Sequence, residues 1–126
     1  MDKTKAESVL KKALGFSEAD ECEVSIGGGG YSLTRFANNI IHQNVNEQRY
    51  QLSVRSVFGK RTGRAITNKL GDRNVEAAVR LSESVARVQP EIPELLAVPG
   101  PQEYVRVDSF DDSTAGLAPA IRAEAV

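Results

Sequence analysis

A two-layer α+β domain, an antiparallel sheet of four or five strands carrying two main helices on one face, is predicted for this chain of 126 residues by three observations. Apolar residues recur every three or four positions near the N-terminus and again between residues 72 and 89, which is the spacing of helices with one apolar stripe. From Cys22 the period drops to two, the mark of strands with one wet side. Asn38-Asn39 then separates two β-favouring runs, and Asn tolerates the positive φ that a type I′ hairpin turn requires. Two striped helices and a one-sided sheet bury all their apolar surface only when both helices lie on the same face of the sheet.

The elements follow in chain order. Thr4 and Glu7 have the spacing of a capping box, and Ala6, Val9, Leu10, Ala13 and Leu14 form a stripe that Gly15 should end. Cys22, Val24 and Ile26 share one strand face while Glu23 and Ser25 take the other. Gly27 to Gly30 reads as a flexible hairpin loop. The run from Arg35 to Asn44 reads as strand, two-residue turn and strand. A polar stretch, Asn44 to Arg49, precedes a further alternation of Tyr50, Leu52 and Val54, a turn at Gly59, and a last strand from Gly63 to Thr67.

Asp72 is the expected N-cap of the second helix, whose broad face holds Val75, Ala78, Val79, Leu81, Ser82, Val85, Ala86 and Val88 before Pro90 stops it. Pro90, Pro93, Pro99 and Pro101 then mark an extended connector. Leu117, Ile121 and Ala125 begin another stripe, with Pro119 in its first turn and no cap before the last residue. The organisation expected is therefore an α+β domain over residues 1–89, a connector over 90–110 and the start of a truncated helix over 111–126. An uncapped stripe at the end predicts an N-terminal fragment of a longer protein.

Composition narrows the function. Sixteen basic and seventeen acidic residues leave a net charge of -1, which offers no global field for a polyanion, so nucleic acid is not the expected partner. No apolar run approaches the roughly 20 residues of a membrane helix, and nothing resembles an export signal; the expected location is the cytoplasm. Cys22 is the single cysteine, which excludes an intramolecular disulfide, and its place on the apolar strand face predicts a buried, inert thiol.

Candidate chemistry is sparse. A catalytic zinc needs three His, Cys or carboxylate ligands and an open position for water, whereas this chain has one histidine, His42, and one cysteine. An isolated imidazole makes no nucleophilic triad. The glycine run matches neither phosphate-binding pattern. Lys60, Arg61 and Arg64, with Arg55 and Lys69 nearby, form a modest basic group that reads as a wet turn or, alternatively, as a small anion or partner patch.

The succession of Ala19-Asp20-Glu21-Cys22-Glu23-Val24, the Asn-turn hairpin with His42-Gln43, the strand Tyr50 to Val57, the turn Phe58-Gly59-Lys60-Arg61 and the segment Gly63 to Thr67 resembles the N-terminal domain of the TldD/PmbA family. Its members are known as modulators of DNA gyrase and as zinc metallopeptidases. The resemblance covers most of the chain. It implies membership of a zinc-dependent peptidase system acting on unfolded or extended polypeptides, in which two homologous subunits pair. The peptidase members carry a His-Glu-x-x-x-His motif downstream of this domain, and the PmbA-type partners lack it; this sequence does not contain it.

The chain is accordingly expected to be non-catalytic and to hold no cofactor of its own, the zinc lying elsewhere in the system. Its expected partners are the remainder of the parent chain, a homologous subunit and a polypeptide substrate. Arg35, Asn38, Asn39, His42, Gln43 and Asn44, with the strand Tyr50 to Val57, are the expected substrate or partner contacts. The alternative is an interaction module, recognising a protein such as a gyrase subunit, without hydrolytic connection.

Overall fold

The structure is a computed structural model and describes residues 1–38 and 40–125. Its elements are α1 (Lys3–Phe16), β1 (Glu21–Ala37), β2 (Ile40–Phe58), β3 (Arg61–Thr67), α2 (Asp72–Val88), α3 (Asp112–Ala115) and α4 (Pro119–Glu124). The strands form one antiparallel sheet in the order β1-β2-β3. Two compact units are distinguished: Met1–Gly29 with Arg49–Gly100, and the described residues of Gly30–Gln48 with Pro101–Val126. β1 and β2 contribute residues to both.

The α+β architecture is the one the periodicities predict, but among the described residues the strands number three instead of four or five. The reason is local. Gly27 to Gly30, expected as a loop, continues β1, and the polar run Asn44 to Arg49 continues β2. Backbone pairing across a hairpin needs no apolar side chains, so neither segment breaks the ladder. Gly28 is where the strand departs from regularity: its φ is +127°, and a Cβ there would lie 2.1 Å from the Arg49 carbonyl oxygen. Only glycine admits both the conformation and the approach.

In the first unit, β2 and β3 pair Leu52 with Thr67, Val54 with Ala65 and Ser56 with Gly63 on the face toward the helices, and Ser53 with Ile66, Arg55 with Arg64 and Val57 with Thr62 on the other. Leu52, Val54, Val75 and Val79 are fully enclosed, joined by Val9, Ala13 and Ala78, with Cys22, Val24 and Ile26 packed at the margin. Each large aliphatic side chain buried this way contributes roughly 1.5–3 kcal/mol. At Gly63 the helix lies close against the sheet: a Cβ would sit 2.3 Å from both Ser82 O and Ala86 N of α2. Ser56 Oγ and Ser82 Oγ meet there at 2.7 Å, and Ser82 Oγ donates to Val79 O at 2.8 Å.

The helix ends differ from expectation in instructive ways. Asp2, not Thr4, caps α1, its Oδ1 accepting from the Lys5 N–H at 2.8 Å, so the capping box between Thr4 and Glu7 does not form. Gly71 precedes α2 and Asp72 is its first residue; the Asp72 carboxylate instead accepts from Lys12 Nζ on α1 at 2.8 Å. Leu81 and Val88, counted in the apolar face of α2, are 55% and 81% exposed. The buried arc runs through Val75, Ala78, Val79, Ser82, Glu83 and Ala86.

Glu83 is the one acidic side chain in that arc, 4% exposed. Burial pushes its pKa up, but hydrogen bonds from the Glu18 N–H, Arg80 and Ser17 outweigh it and hold the carboxyl below the ordinary glutamate value. The bond from the Glu18 N–H is 2.6 Å. Glu83 thus fastens the end of α1 to α2. Residues 92–98 are fastened too: the Ile92 N–H donates to Lys60 O at 2.8 Å, Lys60 Nζ to Leu95 O at 2.9 Å, and the Val98 N–H to Glu21 Oε2 at 2.7 Å.

In the second unit, the single C-terminal helix expected from the stripe is two short ones. Asp111 caps α3, accepting from the Thr114 N–H at 2.7 Å, and Pro119 opens α4. Gly116 and the fixed φ of Pro119 separate them.

Candidate functional site

At the hairpin predicted to contact substrate or partner, β1 ends at Ala37, Asn38 takes the expected positive φ of 52°, and β2 starts at Ile40. Asn39 lies outside the described residues. Across the hairpin Thr34 Oγ1 donates to Asn44 Oδ1 at 2.9 Å and Arg35 Nη1 to Gln43 Oε1 at 3.1 Å. Successive strand side chains alternate faces, so these two bonds lie on opposite sides. His42 and Asn44 share one face with Thr34 and Phe36, while Arg35 and Gln43 take the other with Ile41. The candidate residues are therefore not one cluster.

All of Arg35, Asn38, His42, Gln43 and Asn44 are exposed. Arg122 of α4 reaches Asn44 Oδ1 through Nη2 at 3.4 Å, and its Nε is buried without a partner. Phe36, Ile40 and Ile41 stand exposed around these polar groups. The arrangement presents polar donors and acceptors beside apolar side chains, suited to binding a surface. Among its described residues no nucleophile stands beside a base.

The strand Tyr50 to Val57, also expected to face a partner, is the paired centre of the sheet. Leu52, Val54, Ser56 and Val57 are buried, so its main chain offers nothing to an incoming peptide. β3, which the sequence marks only as the last strand, is with β1 one of the two edges of the sheet, and it was not among the expected contacts.

The basic residues around the Gly59 turn are dispersed. Arg55 Nη2 pairs with Glu23 Oε2 at 2.7 Å, Arg61 bonds Arg87 O at 3.4 Å, and Arg64 Nη1 donates to Ser53 Oγ at 2.9 Å. Cys22 is half-buried, and desolvation, opposed by a hydrogen bond with Ser17, raises its pKa, so the thiol is protonated at neutral pH. Among the described residues no three His, Cys, Asp or Glu side chains converge into a group able to hold a metal ion. Those residues do not fit zinc. No described helix is long and apolar enough to cross a membrane.

The same fold occurs in two solved structures. TldE from Thermococcus kodakarensis superimposes with a TM-score of 0.77 at 17% identity over 92% of this chain. A protein named as a putative modulator of DNA gyrase, from Bacteroides thetaiotaomicron, superimposes with a TM-score of 0.64 at 19% identity over 97% of this chain. The chain spans only about a quarter of either, 26% and 28% of their lengths. No protein-family model matches the sequence, and no curated protein matches it.

Proposed function

We propose that this chain is the N-terminal domain of a TldD/PmbA-type protein and serves, without chemistry of its own, to shape access or partner contacts in a zinc-dependent peptidase system acting on unfolded or extended polypeptides. The observation that carries the reading is the fold held in common with one quarter of TldE over nearly the whole of this chain. The order of motifs along the sequence supports it independently.

In this reading the domain supplies walls. A sheet backed by α1 and α2 is stiff because its layers are locked by the Leu52, Val54, Val75 and Val79 core and by Glu83, so it can narrow the approach to a neighbouring metal site until only an unfolded chain passes. The zinc, the remaining catalytic groups and a homologous subunit belong to the rest of the system, which works in the cytoplasm.

The test is reconstitution. The parent protein, coexpressed with a homologous subunit that carries a His-Glu-x-x-x-His motif, should degrade unfolded casein and lose that activity to a chelator. This chain alone should not. Chelator-sensitive digestion by the 126-residue chain itself would overturn the proposal. A parent that captures a gyrase subunit and shows no hydrolysis with any homologous partner would favour the interaction-module alternative.

A further inference from the structure

β3 lies at the end of the sheet, and among the described residues no strand pairs with its outer side. Such an edge is a template for another chain unless something blunts it. Here each flank offers an exposed apolar group, beside Arg64 on the face away from the helices. On the face away from the helices Ile66 is 56% exposed. On the helix side, α2 crosses directly above Gly63, and the position of its exposed side chains follows from helical geometry. Glu83 marks the flank of α2 that faces the end of α1, through Ser17 and Glu18. Leu81 lies about 200° around the helix from Glu83 at 100° per residue, and Val85 and Val88 continue its stripe. Leu81, Val85 and Val88 therefore form a ledge on the side away from α1, beyond the open edge.

Charge selects what can occupy the edge. Arg64 is the midpoint of β3 and stands opposite Arg55 of β2. Arg55 is neutralised by Glu23 at 2.7 Å, while Arg64 is bonded to the neutral hydroxyl of Ser53. A second copy pairing antiparallel about the centre of β3 would place its own Arg64 against this one, and like charges directly opposite each other destabilise a ladder. A strand with a carboxylate at that position is favoured instead.

We propose that the edge of β3, with the ledge Leu81-Val85-Val88, binds an extended polypeptide segment antiparallel to Arg61–Thr67, with an apolar residue opposite Ile66 and, two residues later, an acidic one opposite Arg64. Main-chain hydrogen bonds supply the affinity, the residue between those two packs against the ledge, and the Arg64 guanidinium sets the register. The inference does not rest on the peptidase reading, and its test involves no hydrolysis.

The experiment uses the 126-residue chain and a fluorescent peptide of alternating valine and threonine with a valine-valine-aspartate centre, followed by anisotropy and by backbone amide shifts. Saturable binding is expected, with shifts confined to residues 61–67 and 81–88. Replacing the aspartate by lysine should weaken binding about fivefold, the upper end for a cross-strand pair, and Arg64→Glu should reverse that preference. Leu81→Glu, at an exposed position, should weaken the peptide while the circular dichroism spectrum stays unchanged. Absence of binding, indifference to the peptide's charge, or shifts centred on the hairpin of residues 30–48 would overturn the proposal.

Discussion

Replacing Gly63 by alanine should separate α2 from the sheet. The added methyl group would lie 2.3 Å from Ser82 O and from Ala86 N, and 2.9 Å from Ala86 Cα. All three are main-chain atoms of one helix, so no side chain can swing aside, and ordinary contact requires α2 to retreat by about 1 Å. Overfilling a packed interior typically costs about 1–3 kcal/mol. Retreat also stretches the 2.7 Å contact between Ser56 and Ser82, whose loss in a dry interior adds roughly 1 kcal/mol. The sum is about 2–4 kcal/mol. In a domain of this size each kcal/mol is worth roughly 4 °C in Tm, so the midpoint should fall by on the order of 10 °C. Urea unfolding followed by circular dichroism would measure the change, with Gly15→Ala as the control. Gly15 lies in α1, where an added methyl group would meet nothing within 4 Å, so alanine there should stabilise by roughly 0.4–1 kcal/mol. A Gly63→Ala protein within about 0.5 kcal/mol of the parent, the ordinary range of a surface substitution, would show that the helix is not seated on β3 in this way.

Three further outcomes are expected. Gly28→Ala combines a φ of +127° with a 2.1 Å approach to Arg49 O, and should cost at least as much as Gly63→Ala, roughly 2–4 kcal/mol, by strain and displacement of β2; the same urea titration reads it, and a neutral effect would contradict the irregularity in β1. Because the folded-state pKa of Glu83 is held below its ordinary value of 4.5, its contribution is complete above that pH and disappears as pH falls through the lower folded value. Glu83→Gln should lose about 1.5–3 kcal/mol at pH 7 and show a shallower acid limb in stability against pH; an unaltered limb would refute the role. Cys22, half-buried with a raised pKa, should react with iodoacetamide at pH 7 many times more slowly than in urea, and equal rates would contradict its placement.

The hairpin was legible because its turn is a local matter: Asn38 accepts φ 52° wherever it stands. The arrangement of the side chains around it was not, since the bonds Thr34–Asn44 and Arg35–Gln43 depend on which residues the ladder sets side by side. Glycines tell the same story. A lone Gly in a strand can mark close approach of another backbone, but from the sequence Gly63 reads only as the start of the last strand, and what approaches it was visible only once α2 was in place. Glu83 left no sequence mark at all; it occupies a core-facing position of α2 because the Glu18 N–H, Ser17 and Arg80 happen to converge there.

What the amino-acid order alone determined was the kind and succession of the main elements, because apolar spacing and turn residues act within a few positions of themselves. Val75, Val79, Leu52 and Val54 had to be buried whatever the partner. Only the tertiary structure decided how many strands the described residues form, which strand is the centre and which two are edges, and which flank of α2 is left bare. Those are relations between residues far apart in the chain, and they are set by main-chain pairing and by contacts such as Gly63 against Ala86, for which no local pattern codes.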